Sequence, residues 1–143
     1  MYKNKISLKN MLVKKIVPSM ALALLIMGAS QSLVSAVGIG YSVTPTGLGN
    51  TKYTSSVVKA TTSSAENKCS KVQGGGSLYS QVFLQSSGDS KTASAFFTSG
   101  QDKLMDYYAA STANGNDMKM GVQSQLGDIY GRNTYGYWSP DDF

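Results

Sequence analysis

The most concentrated apolar and aromatic material beyond the N-terminal segment lies on either side of a polar connection in the middle of the chain. Residues 78–85 carry apolar and aromatic side chains on both faces of a strand, residues 86–91 hold the serine, glycine and aspartate typical of turns, and residues 92–98 return with a second apolar run. The pattern predicts a β-hairpin inside a small sandwich. The larger apolar side chains on one face of its first strand are Leu78, Val82 and Leu84.

Short β candidates separated by turn signals continue along the rest of the chain. Residues 118–126 alternate Met118, Met120 and Val122 with polar positions, which predicts a strand with one buried face, and Asn114-Gly115 before it is a strong hairpin signal. Residues 62–68 fit either a polar loop or a single helical turn. The other candidate strands are residues 37–43, 53–61, 70–73, 104–111 and 130–138.

These candidates predict an all-β fold, a small antiparallel β-sandwich of about six to seven strands. Residues 104–111 are the most ambiguous, because their composition allows a helix while Tyr107-Tyr108 and the surrounding turns favour a strand. Residues 99–103 are predicted to form a turn. Polar, Ser/Thr-rich strands at the edges of such a sandwich favour pairing between molecules, so self-association belongs to the prediction.

The N-terminal segment predicts a cleavable signal peptide. Five lysines without an acidic residue precede an apolar run at residues 20–27, and Val34, Ser35 and Ala36 then supply a small-residue cleavage site. Residues 28–30 form an alternative, less favoured site. A membrane anchor is disfavoured because polar residues interrupt the segment. We expect residues 1–36 to be removed and residues 37–143 to be secreted as one extracellular domain, in contact with a membrane only during export.

Removal of the signal peptide changes the charge of the protein. The full chain carries 13 basic and 8 acidic residues, a formal net charge of +5. Five of the basic residues belong to the signal peptide. Eight basic residues therefore remain, equal in number to the eight acidic residues. The neutral remainder gives no support to nucleic acid or to an anionic membrane as a partner.

The residue types present exclude several catalytic chemistries. The chain has no histidine, which removes Ser-His and Cys-His nucleophile pairs and imidazole zinc sites. Nearly all carboxylates fall in predicted turns, where aspartate usually serves the turn itself. Asp141 and Asp142 lack a surrounding array of oxygen ligands and are interpreted as a solvated, charged chain end. We therefore expect no enzyme activity, no cofactor and no metal site.

Cys69 is the only cysteine, so no intramolecular disulfide can form. Its polar surroundings argue against deep burial, and the two nearby lysines would lower the pKa of an exposed thiol. A reactive thiol and an intermolecular disulfide are therefore alternatives to the favoured interpretation, a tolerated thiol without a function.

Aromatic residues cluster near the C-terminus at Tyr130, Tyr135, Tyr137 and Trp138. On a strand, Tyr135 and Tyr137 would face one side and Trp138 the other. Exposed rings in such a row can stack on a cell-surface glycan or dock into a cell-envelope component. The favoured alternative is that these rings close the core of a small domain.

The leader, the Ser/Thr-rich first half, the middle hairpin and the Tyr-Gly-Tyr-Trp close resemble an uncharacterised family of small secreted proteins of Gram-positive bacteria. More loosely, the chain resembles lactococcin-type bacteriocins, which implies a bacteriocin-like effector acting at the envelope of neighbouring cells. No functional residue carries over from either family. The alternative function is an extracellular binding or surface-associated structural module that uses its aromatic C-terminal strand.

Overall fold

A computed structural model of the protein describes residues 37–142. The predicted signal peptide, with Val34, Ser35 and Ala36, lies outside these residues. The described part of the chain forms nine strands and one short helix. The strands are β1 (Ile39–Val43), β2 (Thr51–Tyr53), β3 (Val57–Val58), β4 (Ala65–Val72), β5 (Ser77–Leu84), β6 (Ala95–Thr98), β7 (Gln101–Met105), β8 (Asp117–Gln123) and β9 (Thr134–Ser139), and the helix is α1 (Ala110–Ala113).

The strands build two antiparallel sheets that pack face to face. The first sheet has the order β1-β9-β4-β7, and the second has the order β2-β8-β5-β6 with β3 also paired to β8. Side chains from both sheets form one buried cluster between them. The all-β sandwich predicted from the sequence is confirmed, although the count of strands is larger than the expected six to seven. Among the described residues, no helix is long and apolar enough to cross a membrane.

The central hairpin is confirmed. Strand β5 pairs antiparallel with β6 from Ser77↔Thr98 to Ser80↔Ala95. Alternate residues of β5 are buried, including Leu78 and Val82, because successive side chains of a strand point to opposite faces. On its other side β5 pairs with β8, so the hairpin occupies the centre and one edge of the second sheet.

Strand β4 corrects the prediction of a loop or helical turn at residues 62–68. It lies in the middle of the first sheet, between β9 and β7. Two of its inward side chains are polar or small, Asn67 and Ala65, so the usual alternation of large apolar residues is missing. The amide oxygen of the buried Asn67 accepts a hydrogen bond of 2.9 Å from the buried Tyr41 hydroxyl, which offsets part of the cost of burying this polar side chain.

The region after β6 also differs from the prediction. Residues 101–105 form β7, where a turn was expected at residues 99–103. The favoured strand at residues 104–111 is wrong for its last two residues, which begin α1, the helix that the composition allowed. Asn114-Gly115 joins α1 to β8 and is therefore not the turn of a β-hairpin. Gly115 adopts a φ of +80° and donates its N–H to the Lys59 carbonyl oxygen at 2.7 Å, which ties the connection to the edge of the second sheet.

The edge strand beside β8 is interrupted, so the predicted strand at residues 53–61 appears as the two short strands β2 and β3. Thr54 lies at the break. Its N–H donates to the Met120 carbonyl oxygen at 2.9 Å, and its hydroxyl accepts the Met120 N–H at 3.1 Å. The side chain thus replaces a missing backbone partner and keeps the edge attached.

The core confirms the predicted buried face of β8. Met118, Met120 and Val122 are fully buried, as is Phe97 on β6. Ser124 continues this face into the following loop, but Leu126 is exposed, because the strand ends at Gln123. The buried apolar set is completed by Tyr41, Ala65, Cys69, Val72, Leu78, Val82, Met105, Ala113 and Trp138.

Candidate functional site

Strand β9 presents two tyrosines on the outer face of the first sheet. Tyr135 is 37% exposed and Tyr137 is 61% exposed, whereas Trp138 points inward and is 1% exposed. The predicted opposite orientation of the tyrosines and the tryptophan is confirmed. Residues two apart on a strand are separated by about 7 Å, so the two rings lie side by side on this face. We call Tyr135 and Tyr137 the tyrosine pair.

The neighbouring strands leave the tyrosine pair accessible on one side. Gly40 and Ser42 on β1 lie opposite Tyr137 and Tyr135, and neither carries a side chain large enough to cover a ring. Residues of β1 and β4, together with the tyrosine pair, line a shallow groove of about 410 Å³. On the other side, β4 places Lys68 opposite Tyr137 and Lys71 opposite Tyr135. The outer face therefore combines rings, small residues and lysine ammonium groups.

Tyr130 does not join the tyrosine pair. It precedes β9 and lies in the β8–β9 loop, where its side chain is exposed. Three other large apolar side chains are also exposed at this end of the sandwich. They come from the β8–β9 loop and from the β1–β2 loop, and with Tyr130 we call them the apolar tip: Leu48, Leu126, Ile129 and Tyr130.

Hydrogen bonds between the two loops hold the apolar tip in place. The Leu48 N–H donates to the Asp128 carbonyl oxygen, and Leu48 adopts a φ of +66°, which is unusual for a residue other than glycine. Arg132 binds the Asp128 carboxylate through two hydrogen bonds of 2.7 and 2.8 Å. These bonds hold the pKa of Asp128 below its usual value and raise the pKa of Arg132.

The outer face of the second sheet carries a larger aromatic surface that the sequence analysis missed. Tyr53 packs edge to face against Phe83 with ring centroids 5.4 Å apart, and Lys119 lies 4.5 Å from the Tyr53 ring centroid. Tyr79 packs in the same way against Phe96 at 5.5 Å. Alternation within residues 78–85 predicted that Tyr79 and Phe83 share one face, but only the order of the strands brings each of them against its partner ring.

Asp141 corrects the interpretation of the chain end as a solvated, charged segment. Asp141 and Lys59 are both fully buried, and the Lys59 Nζ lies 2.9 Å from Asp141 Oδ1. The Lys59 ammonium group also donates to the carbonyl oxygens of Ser63 and Pro140. The Tyr107 ring covers the ammonium group at 4.1 Å from the ring centroid.

Hydrogen bonds to Asp141 stabilise its charged form. Burial by itself would raise the pKa of this carboxyl group, but the Ala60 N–H, the Thr61 hydroxyl and N–H and the Lys59 ammonium group together hold it below its usual value. Burial, together with the negative charge of Asp141, raises the pKa of Tyr107. The Lys59–Asp141 pair is thus a satisfied structural ion pair that joins the residues after β3 to those after β9.

The expectation that Cys69 avoids deep burial is wrong. Cys69 is 2% exposed and points into the core from β4, with its Sγ 3.5 Å from the Thr134 hydroxyl. The flanking residues Lys68 and Ser70 take the outward positions, which explains why the local sequence looks polar. This burial favours the interpretation of Cys69 as a packing residue over that of a reactive thiol or an intermolecular disulfide.

Within residues 37–142, no three acidic or cysteine side chains converge in an arrangement that could hold a metal ion. Comparisons with protein-family models, with curated proteins and with solved structures found no match. The resemblances noted in the sequence stay predictions, so the functional argument depends on the geometry of the exposed surfaces.

Proposed function

We propose that the protein is an extracellular, non-enzymatic binding module that attaches to a cell-surface glycan through the tyrosine pair. The observation that carries the proposal is the exposure of two rings on one strand, beside the small residues Gly40 and Ser42. Burying rings of this size is favourable, so a small domain that leaves both of them on a flat face is expected to use them in binding.

A glycan fits the chemistry of this face. The C–H groups on one face of a sugar ring can lie on the electron-rich face of a tyrosine, and the tyrosine hydroxyl groups can bond to sugar hydroxyl groups. Lys71, which is exposed beside Tyr135, adds a hydrogen-bond donor at the margin of the tyrosine pair. A polymer of sugars would contact both rings at once, which favours a chain over a single sugar.

The test is sedimentation of the purified protein with insoluble cell walls from Gram-positive bacteria. We expect Tyr135→Ser and Tyr137→Ser each to weaken binding about tenfold, equivalent to about 1.4 kcal/mol, and the double variant to lose it. Tyr108→Ser is a matched control, because Tyr108 is exposed and lies outside β9. Trp138→Ala is unsuitable because it would open a cavity in the core and destabilise the fold.

Equal sedimentation of the wild type and the folded double variant would contradict the proposal. A circular dichroism spectrum and an unfolding midpoint that match the wild type would show that the double variant is folded. Loss of binding by the Tyr108→Ser control would also count against a specific role for the tyrosine pair.

The apolar tip favours a second candidate function, a bacteriocin-like effector that acts on the envelope of neighbouring cells. Four large apolar side chains held outward by hydrogen-bonded loops are suited to contact a membrane or an apolar envelope component. We expect the purified protein to inhibit related strains at micromolar concentration and Leu126→Ser with Ile129→Ser to abolish inhibition. An inert, folded wild-type protein would contradict this function.

A further inference from the structure

A second candidate binding site lies on the opposite sheet from the tyrosine pair. It is a cleft of about 530 Å³ between the outer face of the second sheet and the start of the β8–β9 loop. This volume is within the range of small-ligand sites in proteins. The residues that line it are Tyr79, Ser94, Gln123, Ser124, Gln125, Leu126 and Gly127.

The cleft has an apolar side and a polar side. Tyr79 supplies an aromatic ring whose orientation is fixed by its edge-to-face contact with Phe96. Leu126 supplies an exposed aliphatic side chain. The side chains of Ser94 and Gln125 make no hydrogen bond to other described residues, so they are available to a ligand. None of the described residues that line the cleft carries a charged side chain.

Two contacts organise the cleft before a ligand arrives. The Gln123 side-chain Nε2 donates to the Gly49 carbonyl oxygen at 2.7 Å, which fixes the amide and leaves its oxygen as an acceptor. Leu126 lies over Gly49, where an added Cβ would come within 2.9 Å of the Leu126 Cδ2. Because its amide is already held, the Gln123 side chain loses less conformational freedom when a ligand binds.

We infer that this cleft binds an uncharged sugar, as a short oligosaccharide of pyranose rings. One ring lies on Tyr79, its hydroxyl groups bond to Gln123, Gln125 and Ser94, and an apolar substituent of the sugar contacts Leu126. The absence of charge in the lining argues against a phosphate or a carboxylate ligand. The cleft and the tyrosine pair are on different sheets, so this inference does not depend on the proposed function.

The test is calorimetric titration of the purified protein with cellotriose and with tri-N-acetylchitotriose, which differ in the acetamido group. We expect tri-N-acetylchitotriose to bind more tightly, because its methyl groups can pack on Leu126. Leu126→Ser should weaken its binding about tenfold and reduce the difference between the two sugars. Tyr79→Leu, which keeps an apolar side chain but removes the ring, should weaken the binding of both sugars.

The controls separate the cleft from the other surfaces. Ile129 is an exposed apolar residue of the same loop, but it does not line the cleft. The Ile129→Ser variant should therefore bind both sugars like the wild type. Tyr135→Ser with Tyr137→Ser removes the tyrosine pair, so the trisaccharide binding that we assign to the cleft should persist in this double variant and should still be weakened there by Leu126→Ser. The inference would be overturned if neither sugar binds at millimolar concentration. It would also be overturned if Leu126→Ser and the wild type bind the sugars equally well, and both results hold whether or not the protein binds cell walls.

Discussion

At the scale of single residues, the buried Lys59–Asp141 pair is a contact that the sequence does not reveal. Both side chains are fully buried, and every proton of the ammonium group has an acceptor. A buried ion pair adds little over a well-packed apolar pair, but the loss of one partner leaves an uncompensated charge in the core. The pair therefore makes folding depend on both residues together.

Asp141→Ala should lower the free energy of unfolding by about 3–5 kcal/mol, because it leaves the Lys59 ammonium group buried without its counter-charge. Denaturant unfolding measures the change. Lys59→Met combined with Asp141→Leu should lose less stability than the single Asp141→Ala variant, because neither charge remains in the core. Asp142→Ala is the control, since Asp142 is exposed and should change stability by less than about 0.5 kcal/mol. A single Asp141 variant as stable as the wild type would contradict this account.

The same pair predicts how stability depends on pH. The folded protein holds the pKa of Asp141 below its usual value of about 3.9, so the folded state favours the charged carboxylate. The stabilisation is present above that usual value and is lost as the pH falls through the lower pKa of the folded state. Unfolding free energies measured from pH 7 to pH 2.5 should therefore fall below about pH 4. The decline should be smaller in Asp141→Asn, and an identical decline would contradict the prediction.

Cys69 gives a prediction about accessibility. Its thiol is buried, so a water-soluble thiol reagent should react with it only after unfolding. Cys69→Ala with Ser70→Cys moves the thiol to the exposed neighbouring position and should react in the folded protein. The absorbance of the chromophore that the reagent releases measures the reaction rates of both proteins. Rapid reaction of Cys69 in the native wild type would contradict its placement in the core.

At the scale of elements, one hydroxyl group bridges the break in the edge of the second sheet. Thr54 accepts the Met120 N–H where the backbone of the edge strand is interrupted. Thr54→Val keeps the shape of the side chain but leaves that N–H without a partner, so it should cost about 1–3 kcal/mol of stability. Amide hydrogen exchange at Met120 should become faster. Ser56→Ala, at an exposed position of the same break, should change neither quantity.

The elements also show which sequence signals were informative. Strands β5, β6, β8 and β9 could be predicted because large apolar residues alternate with polar ones or flank a clear turn. The first part of β4 could not, although residues 70–73 were predicted as strand, because its buried positions include Asn67, whose partner Tyr41 lies far away in the sequence. The short break at Thr54 and the burial of Asp141 likewise depend on contacts that form only when distant segments meet.

At the scale of the whole molecule, the sandwich places aromatic residues in the core and on three exposed surfaces. Trp138 and Phe97 close the core. The outer face of the first sheet carries the tyrosine pair, the outer face of the second sheet carries two edge-to-face ring pairs, and the apolar tip carries Tyr130. The sequence predicted the tyrosine pair through the alternation of β9. It could not predict the cleft or the apolar tip, because each combines residues from separate segments.

The most direct test of the proposed function maps the bound surface on the whole molecule. Solubilised cell-wall glycan fragments are added to isotopically labelled protein, and the backbone amide shifts are followed by NMR. We predict shifts concentrated on β9 around Tyr135 and Tyr137 and on the adjoining residues of β1 and β4. Shifts confined to the loops of the apolar tip, or no shifts from protein shown to be folded, would contradict binding through the tyrosine pair.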